Sequence, residues 1–212
     1  MPLDDEDCRS IQAVREGDGD AFRALVDRHG GTVHSVLRRL VDDADLAEEL
    51  AQETFVRAYT GIRAFRGESG VGTWLVQIAV NLVRDRRRAT KRAVPVLSLD
   101  RVAELSAGNV PLTNTSDADG RANPLRTLLR KELVTRLEKE VLRLPNEYRE
   151  VFVLKHIEGL SYKTIAEMTG DSVGTLKVRA HRSRMKLKKR LSSGEDGTEE
   201  CYGRDPGALS GR

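Results

Sequence analysis

The sequence predicts an all-α protein, two small helical domains joined by a flexible linker, and three observations predict it. Apolar residues recur at helical spacing on either side of the middle, and no stretch alternates as a strand would. Aromatic residues make up only 4% of the chain against 33% charged, so two small helical cores fit better than one large aromatic core. Between residues 93 and 124 the periodicity stops: Pro95, Gly108, Pro111, Gly120 and the run Thr113-Asn114-Thr115-Ser116-Asp117 leave little to bury.

The first domain is expected over residues 1–92, with helices from about Ile11 onward. Phe22, Leu25, Val26, Val33, Val36, Leu37 and Leu40 form one stripe. A second helix starts near Asp43 and runs to about Tyr59. A loop follows with Gly61, Gly67, Gly70 and Gly72, and Thr73 is placed to cap a third helix from Trp74 to about Arg88. Helical periodicity returns over residues 125–191, the second domain, with a break at Pro145. Residues 192–212 have the composition of a disordered tail.

The formal charge is only +3, but it is unevenly placed. Acid gathers at Asp4, Asp5, Glu6 and Asp7 and again at Glu195, Asp196, Glu199 and Glu200; base gathers in residues 84–92 and 177–190. A polyanion responds to such local clusters rather than to the net charge. Cys8 and Cys201 stand near opposite ends with no zinc or disulfide spacing, and no apolar run approaches the roughly 20 residues of a membrane span. A soluble protein of the reducing cytoplasm is the expectation. His29, His34, His156 and His181 are scattered. No metal, no cofactor and no catalytic constellation is expected.

Residues 145–191 carry the sharpest pattern. Ser161 can cap a short helix, Gly170 supplies a tight turn, and Ser172 can cap a longer helix. On that last helix Leu176, Ala180, Ser183, Leu187 and Leu191 share a stripe that packs inward with Ile165 and Ala166. Lys177, Val178, His181, Arg182, Met185 and Lys188 face outward, and no acidic residue lies between Ser172 and Ser192. This is a helix-turn-helix, whose second helix enters the major groove and meets base edges with its N-terminal residues. Tyr162, Lys163 and Thr164 open the preceding helix, where side chains and free backbone N–H groups suit phosphate. A solvated basic face is the plainer alternative for such a charge run.

Residues 45–59 form a two-faced helix. Leu46, Ala47, Leu50, Ala51, Phe55 and Ala58 make its apolar side, and Glu48, Glu49, Gln52 and Glu53 crowd the other. Glu49 and Glu53 at i,i+4 cost an isolated helix a few tenths of a kcal/mol. Water tolerates such a face, and a basic partner would make it useful.

The run Asp45-Leu46-Ala47-Glu48-Glu49-Leu50-Ala51-Gln52-Glu53-Thr54-Phe55 resembles the polymerase-binding segment of sigma-70 family region 2. Phe65-Arg66-Gly67-Glu68-Ser69, followed by Thr73-Trp74-Leu75 and Ile78-Ala79-Val80-Asn81-Leu82, is similar to the promoter-melting part after it. Leu144-Pro145, Tyr148-Arg149-Glu150-Val151-Phe152, Glu158-Gly159-Leu160-Ser161-Tyr162 and Ser172-Val173-Gly174-Thr175 resemble region 4 of the extracytoplasmic-function group. The likeness covers about residues 20–92 and 125–191, in the right order.

That resemblance implies a sigma factor, not an enzyme, which binds core RNA polymerase and promoter DNA. Asp45, Glu48, Glu49, Gln52, Glu53, Phe55 and Val56 would dock on the β′ clamp helices, and region 4 would sit on the β flap. The loop over residues 62–72 would hold a base flipped from the −10 element, at a cost of a few kcal/mol that its pocket must offset. Phe65, Arg66, Gly67, Glu68 and Ser69 belong to that pocket, and Asn81, Arg84, Arg87 and Arg88 suit the adjacent backbone. The −35 element would meet Tyr162, Lys163, Thr164, Ser172, Thr175, Lys177, Val178, Arg179, His181, Arg182 and Arg184. Trp74 reads as a core anchor more than a base-stacking residue. The linker leaves no room for a folded middle domain, which places the chain in the minimal group, often held inactive by an anti-sigma protein. About 35 residues reach at most ~115 Å and ~30–35 Å as a coil, enough for two elements on one duplex. The alternatives are a helix-turn-helix regulator outside the polymerase, which would usually bring strands or a ligand pocket that the first half does not show, and a DNA recombinase, for which the scattered histidines offer no metal-ligand spacing.

Overall fold

The computed structural model describes residues 4–93 and 124–192, so residues 94–123 and 193–212, with Cys201, lie outside the described residues. Eight helices and no strand occur among the described residues: α1 (Asp5–Arg15), α2 (Asp20–Leu40), α3 (Ala44–Gly61), α4 (Val71–Ala93), α5 (Pro124–Leu142), α6 (Asn146–Phe152), α7 (Tyr162–Thr169) and α8 (Val173–Ser192). A 3-10 turn, Ile62–Ala64, follows α3, and a π turn, Val153–Ile157, extends α6. None of the described helices is long and apolar enough to cross a membrane, and no metal-binding cluster occurs among the described residues.

Local chemistry sets the helix starts. Asp18 Oδ1 accepts from Asp20 N and Ala21 N, and Asp43 Oδ1 accepts from Asp45 N at 2.9 Å and Leu46 N at 3.3 Å. Ser161 and Ser172 each accept from the backbone N–H three residues on, at 3.0 and 3.1 Å. Each cap satisfies an amide that the first turn leaves unpaired. Gly170 closes α7 at φ 72°, the left-handed conformation that costs glycine nothing.

Two starts differ from the expectation. α1 begins at Asp5 because its acidic first turn suits a helix N-terminus and its apolar residues Ile11 and Val14 come only later. α4 begins at Val71, before Thr73: Trp74 N donates to Gly70 O at 3.1 Å, and Val71 is itself core. A periodicity count cannot see one buried residue added ahead of a cap.

The core runs along α2. Leu25, Val33, Val36, Leu37 and Leu40 are buried against Ala47, Leu50, Ala51 and Ala58 of α3 and Leu75, Val76, Ala79, Val80 and Val83 of α4. In the second half, α6 and α8 pack most closely, with Val141, Leu144, Val151, Val153, Leu154, Ile165, Leu176, Ala180 and Leu187 buried.

The two halves also pack on each other, α2 against α5 and α6, and α4 against α7. Charge lines this seam. Arg84 Nε donates to Glu150 Oε1 at 3.0 Å, its Nη2 donates to Asp171 Oδ2 at 2.9 Å, and its Nη1 donates to Thr169 O. Arg87 donates to Leu40 O at 2.6 Å and lies 3.6 Å from Glu150. Arg149 crosses the other way, to Asp42 at 2.7 Å and Leu40 O at 3.3 Å, and also donates to Leu142 O. Arg39 reaches Glu138 at 3.4 Å. Nε of Arg39 and of Arg149 are buried without a hydrogen-bond partner among the described residues, a cost of about 1–3 kcal/mol each.

Candidate promoter and polymerase interfaces

α8 presents its expected face. Lys177, Val178, His181, Arg182, Arg184, Met185 and Lys188 are exposed, while Leu176, Ala180, Ser183 and Leu187 are buried against the rest of the unit. Val178 and Met185 stay 50% and 55% exposed. Ser172 and Thr175 spend their hydroxyls on each other, at 2.9 Å, and on the cap. Lys163 is exposed, Tyr162 is half-buried beneath the Lys155 ammonium at 5.0 Å, and Thr164 bonds Ser161 Oγ at 2.8 Å.

Arg179 departs from the expected set. Its guanidinium turns back to Asp171 at 3.0 Å and Glu147 at 3.5 Å, half-buried. It braces the turn between α7 and α8 instead of facing outward. Arg179 lies at the border of the outer face, one turn on from the buried Leu176, where Asp171 and Glu147 are within its reach. His156, in the π turn, has its pKa lowered, first by burial and then by Arg184 and Lys155 nearby.

Between α3 and α4, Arg66 and Glu68 stand out from the surface, their side chains 83% and 80% exposed, and Gly67 holds φ 73° between them. Ser69 is half-buried and Gly70 buried. Phe65 corrects the expectation of a stacking residue: it is 7% exposed, its ring 4.8 Å from Trp74 at 40°. The aromatic pair anchors the loop from below. Asn81 and Arg88 are exposed, whereas Arg84 and Arg87, expected on DNA backbone, are half-buried in the seam. Burial lowers the pKa of Arg87 against the pull of Glu150, and burial raises that of Glu150 against Arg84 and Arg87.

On α3, Asp45, Glu48, Glu49 and Gln52 are exposed, Glu53 and Phe55 half-buried, and Val56 58% exposed. The acids have partners of their own: Glu48 with His34 at 2.8 Å, Glu49 with Arg86 at 3.8 Å, and Glu53 with Arg57 at 2.7 Å. Tyr59, absent from the expected set, continues this face at 49% exposure with its ring 5.1 Å from Phe22. The signal was there: Val56 and Tyr59 at i,i+3 are apolar residues on the polar side of an amphipathic helix.

Residues 25–93 match the family model for sigma-70 region 2, and residues 135–187 match that for sigma-70, region 4. The chain is 40% identical over 185 residues to the ECF RNA polymerase sigma factor SigW of Bacillus subtilis, covering 86% of this chain and 95% of that protein. The chain belongs to the extracytoplasmic-function group of the sigma-70 family. The RNA polymerase sigma-H factor of Pseudomonas aeruginosa is 32% identical over 194 residues, 90% of this chain and 96% of that one. Two solved structures share the fold. The sigma factor RpoE of Bartonella quintana, in complex with the anti-sigma factor NepR, has a TM-score of 0.59 at 22% identity, over 81% of this chain and 96% of that one. CnrH, in complex with the cytosolic domain of CnrY, has a TM-score of 0.57 at 24% identity, over 89% and 99%. In this sigma factor, region 2 spans most of α2 through α4 and region 4 spans the end of α5 through most of α8; α1 precedes the matched part.

Proposed function

We propose that this sigma factor brings core RNA polymerase to promoters by dividing the work among the three surfaces just described. The exposed face of α8 reads the −35 element in the major groove, where Arg and Lys pair with guanine acceptors and Val178 meets a thymine methyl. Loop 66–69 receives a base unstacked from the −10 element through Arg66, Glu68 and Ser69, while Phe65 and Trp74 support it. Asn81 and Arg88 follow the strand backbone, and Arg84 and Arg87 join them when they leave Glu150 and Asp171. Asp45, Glu48, Glu49, Gln52, Glu53, Phe55 and Val56 on α3 dock on the β′ clamp helices of the polymerase, and region 4 contacts the β flap. Domain limits of 1–92 and 125–191 and a cytoplasmic site of action accompany this reading, and an anti-sigma protein is a partner class to be expected.

One observation supports it most: a capped helix-turn-helix whose second helix shows an acid-free basic face, on the same chain as an exposed, glycine-turned loop supported by buried Phe65 and half-buried Trp74. Run-off transcription with core polymerase tests it. Transcripts that start at defined promoters only when this chain is added support the reading. DNA binding without any polymerase-dependent start would return the chain to the regulator alternative.

A further inference from the structure

We infer that Arg15 of α1 is a positioning residue for loop 66–69, setting the entrance of the loop at the geometry that receives an unpaired base. This rests on the −10 role proposed for that loop. The Arg15 guanidinium crosses from α1 to the strip of backbone just ahead of the loop. Its Nε and Nη2 donate to Ile62 O at 3.3 and 3.2 Å, and Nη2 donates again to Phe65 O. Ile62 O already accepts from Phe65 N at 3.3 Å, the bond that closes the 3-10 turn, so Arg15 adds a second donor there and ties that turn to Phe65 O beyond it. Past Phe65 come only Arg66 and then Gly67 at φ 73°, so the two gripped carbonyls set the direction in which the exposed loop leaves the core.

The other end of the grip is fixed. Ile11 and Val14 of α1 are buried, and Asp7, 4% exposed, takes Arg28 at 2.5 Å and His29 Nε2 at 3.0 Å from α2. α1 is therefore held to α2 at its start and to the loop entrance at its end. It lies outside the part of the chain that matches region 2. Arg15 is half-buried and committed to backbone, so it acts through the loop and not on DNA. A pocket that must offset the cost of unstacking a base depends on sub-ångström placement of its frame.

The test uses the full chain with core polymerase and single-stranded oligonucleotides of its −10 element, each base varied in turn. Affinity for a −35 duplex is read in parallel. Arg15→Ala should cut the discrimination at one base by about tenfold and leave −35 binding unchanged. Arg15→Lys, which can reach one carbonyl, should recover part of it. Gln12→Ala, at an exposed position of the same helix whose side chain bonds Glu16, should keep full discrimination. Full discrimination in Arg15→Ala, an equal loss on every sequence, or a loss matched by Gln12→Ala would overturn the inference. If Arg15→Ala proves unfolded by circular dichroism, Arg15→Gln is judged by the same outcomes. Ser69→Ala and Glu68→Ala separate the two levels. If both leave discrimination intact, the −10 role of the loop is wrong; if they abolish it and Arg15→Ala does not, only the role of Arg15 is.

Discussion

Replacing Glu150 by lysine should open the molecule along the seam between its halves while leaving both halves folded. Glu150 is buried on α6, and the cations it pairs with are Arg84 at 3.0 Å and Arg87 at 3.6 Å, both on α4 in the other half. Unit charges at such separations interact by roughly 4 kcal/mol at an effective dielectric of 20. Charge reversal turns two attractions into two repulsions. Solvent and the long lysine stem absorb most of that, and burial already opposes the Glu150 carboxylate. Even a surviving ~3 kcal/mol displaces the closed-to-open ratio by more than about 100-fold. A compact chain of this length has a radius of gyration near ~17 Å, and small-angle scattering should report a clear increase with helix content unchanged. Glu150→Gln, which removes both attractions without adding a repulsion, should open the molecule less than Glu150→Lys. Wild-type dimensions in Glu150→Lys, or an equal opening in Glu150→Gln, would refute the reasoning.

Arg182→Ala should cost about 1–3 kcal/mol on the cognate −35 element and relax preference at one base, while Lys188→Ala should weaken all sequences alike and lower the salt slope by about one unit at most; equal losses on every sequence would mean that α8 grips backbone only. Changing Glu49 and Gln52 to lysine should weaken core polymerase binding in a pull-down with circular dichroism unaltered, and unchanged capture would move the interface off α3. Leu176→Ala, at a fully buried position on α8, should cost about 2–5 kcal/mol in denaturant unfolding, and a loss under ~1 kcal/mol would mean that α8 is not fixed by its inner stripe. Burial raises the Glu150 pKa, so the folded state binds more protons between the ordinary carboxylate range and the raised value, and stability falls as pH rises through that window. Glu150→Gln removes this slope: in unfolding series the wild type should lose ground to the variant as pH rises, and a constant difference would contradict the burial account.

Periodicity and caps made the helix order legible. Asp43, Ser161 and Ser172 do in the structure what their residue types suggest, and the inner stripe of α8 was readable from Leu176 to Leu187, with Leu191 only half-buried. What stayed hidden depends on contacts far apart in the chain. Phe65 reads as a free aromatic until Trp74 folds beneath it. Arg179 reads as one more cation of a basic run until Asp171 and Glu147 claim it. Arg84 and Arg87 read as free for nucleic acid, and nothing local reveals Glu150 waiting 66 residues further on. The exposed loop and the outer face of α8 were legible because exposure follows from local phase; pairing across the seam does not.

The engagement of Arg84 and Arg87 by carboxylates bears on how promoter binding responds to salt. A cation that meets a phosphate from free solution releases about 0.9 of a condensed counterion from B-form DNA, or about 0.7 from a single strand. On the backbone role proposed for it, Arg84 would instead leave Glu150 and Asp171 behind as free carboxylates, whose own ion atmosphere offsets part of that release. A titration against salt should then give a shallower line than a count of arginines on the DNA implies. Freed beforehand by Glu150→Lys, the same two side chains would steepen it.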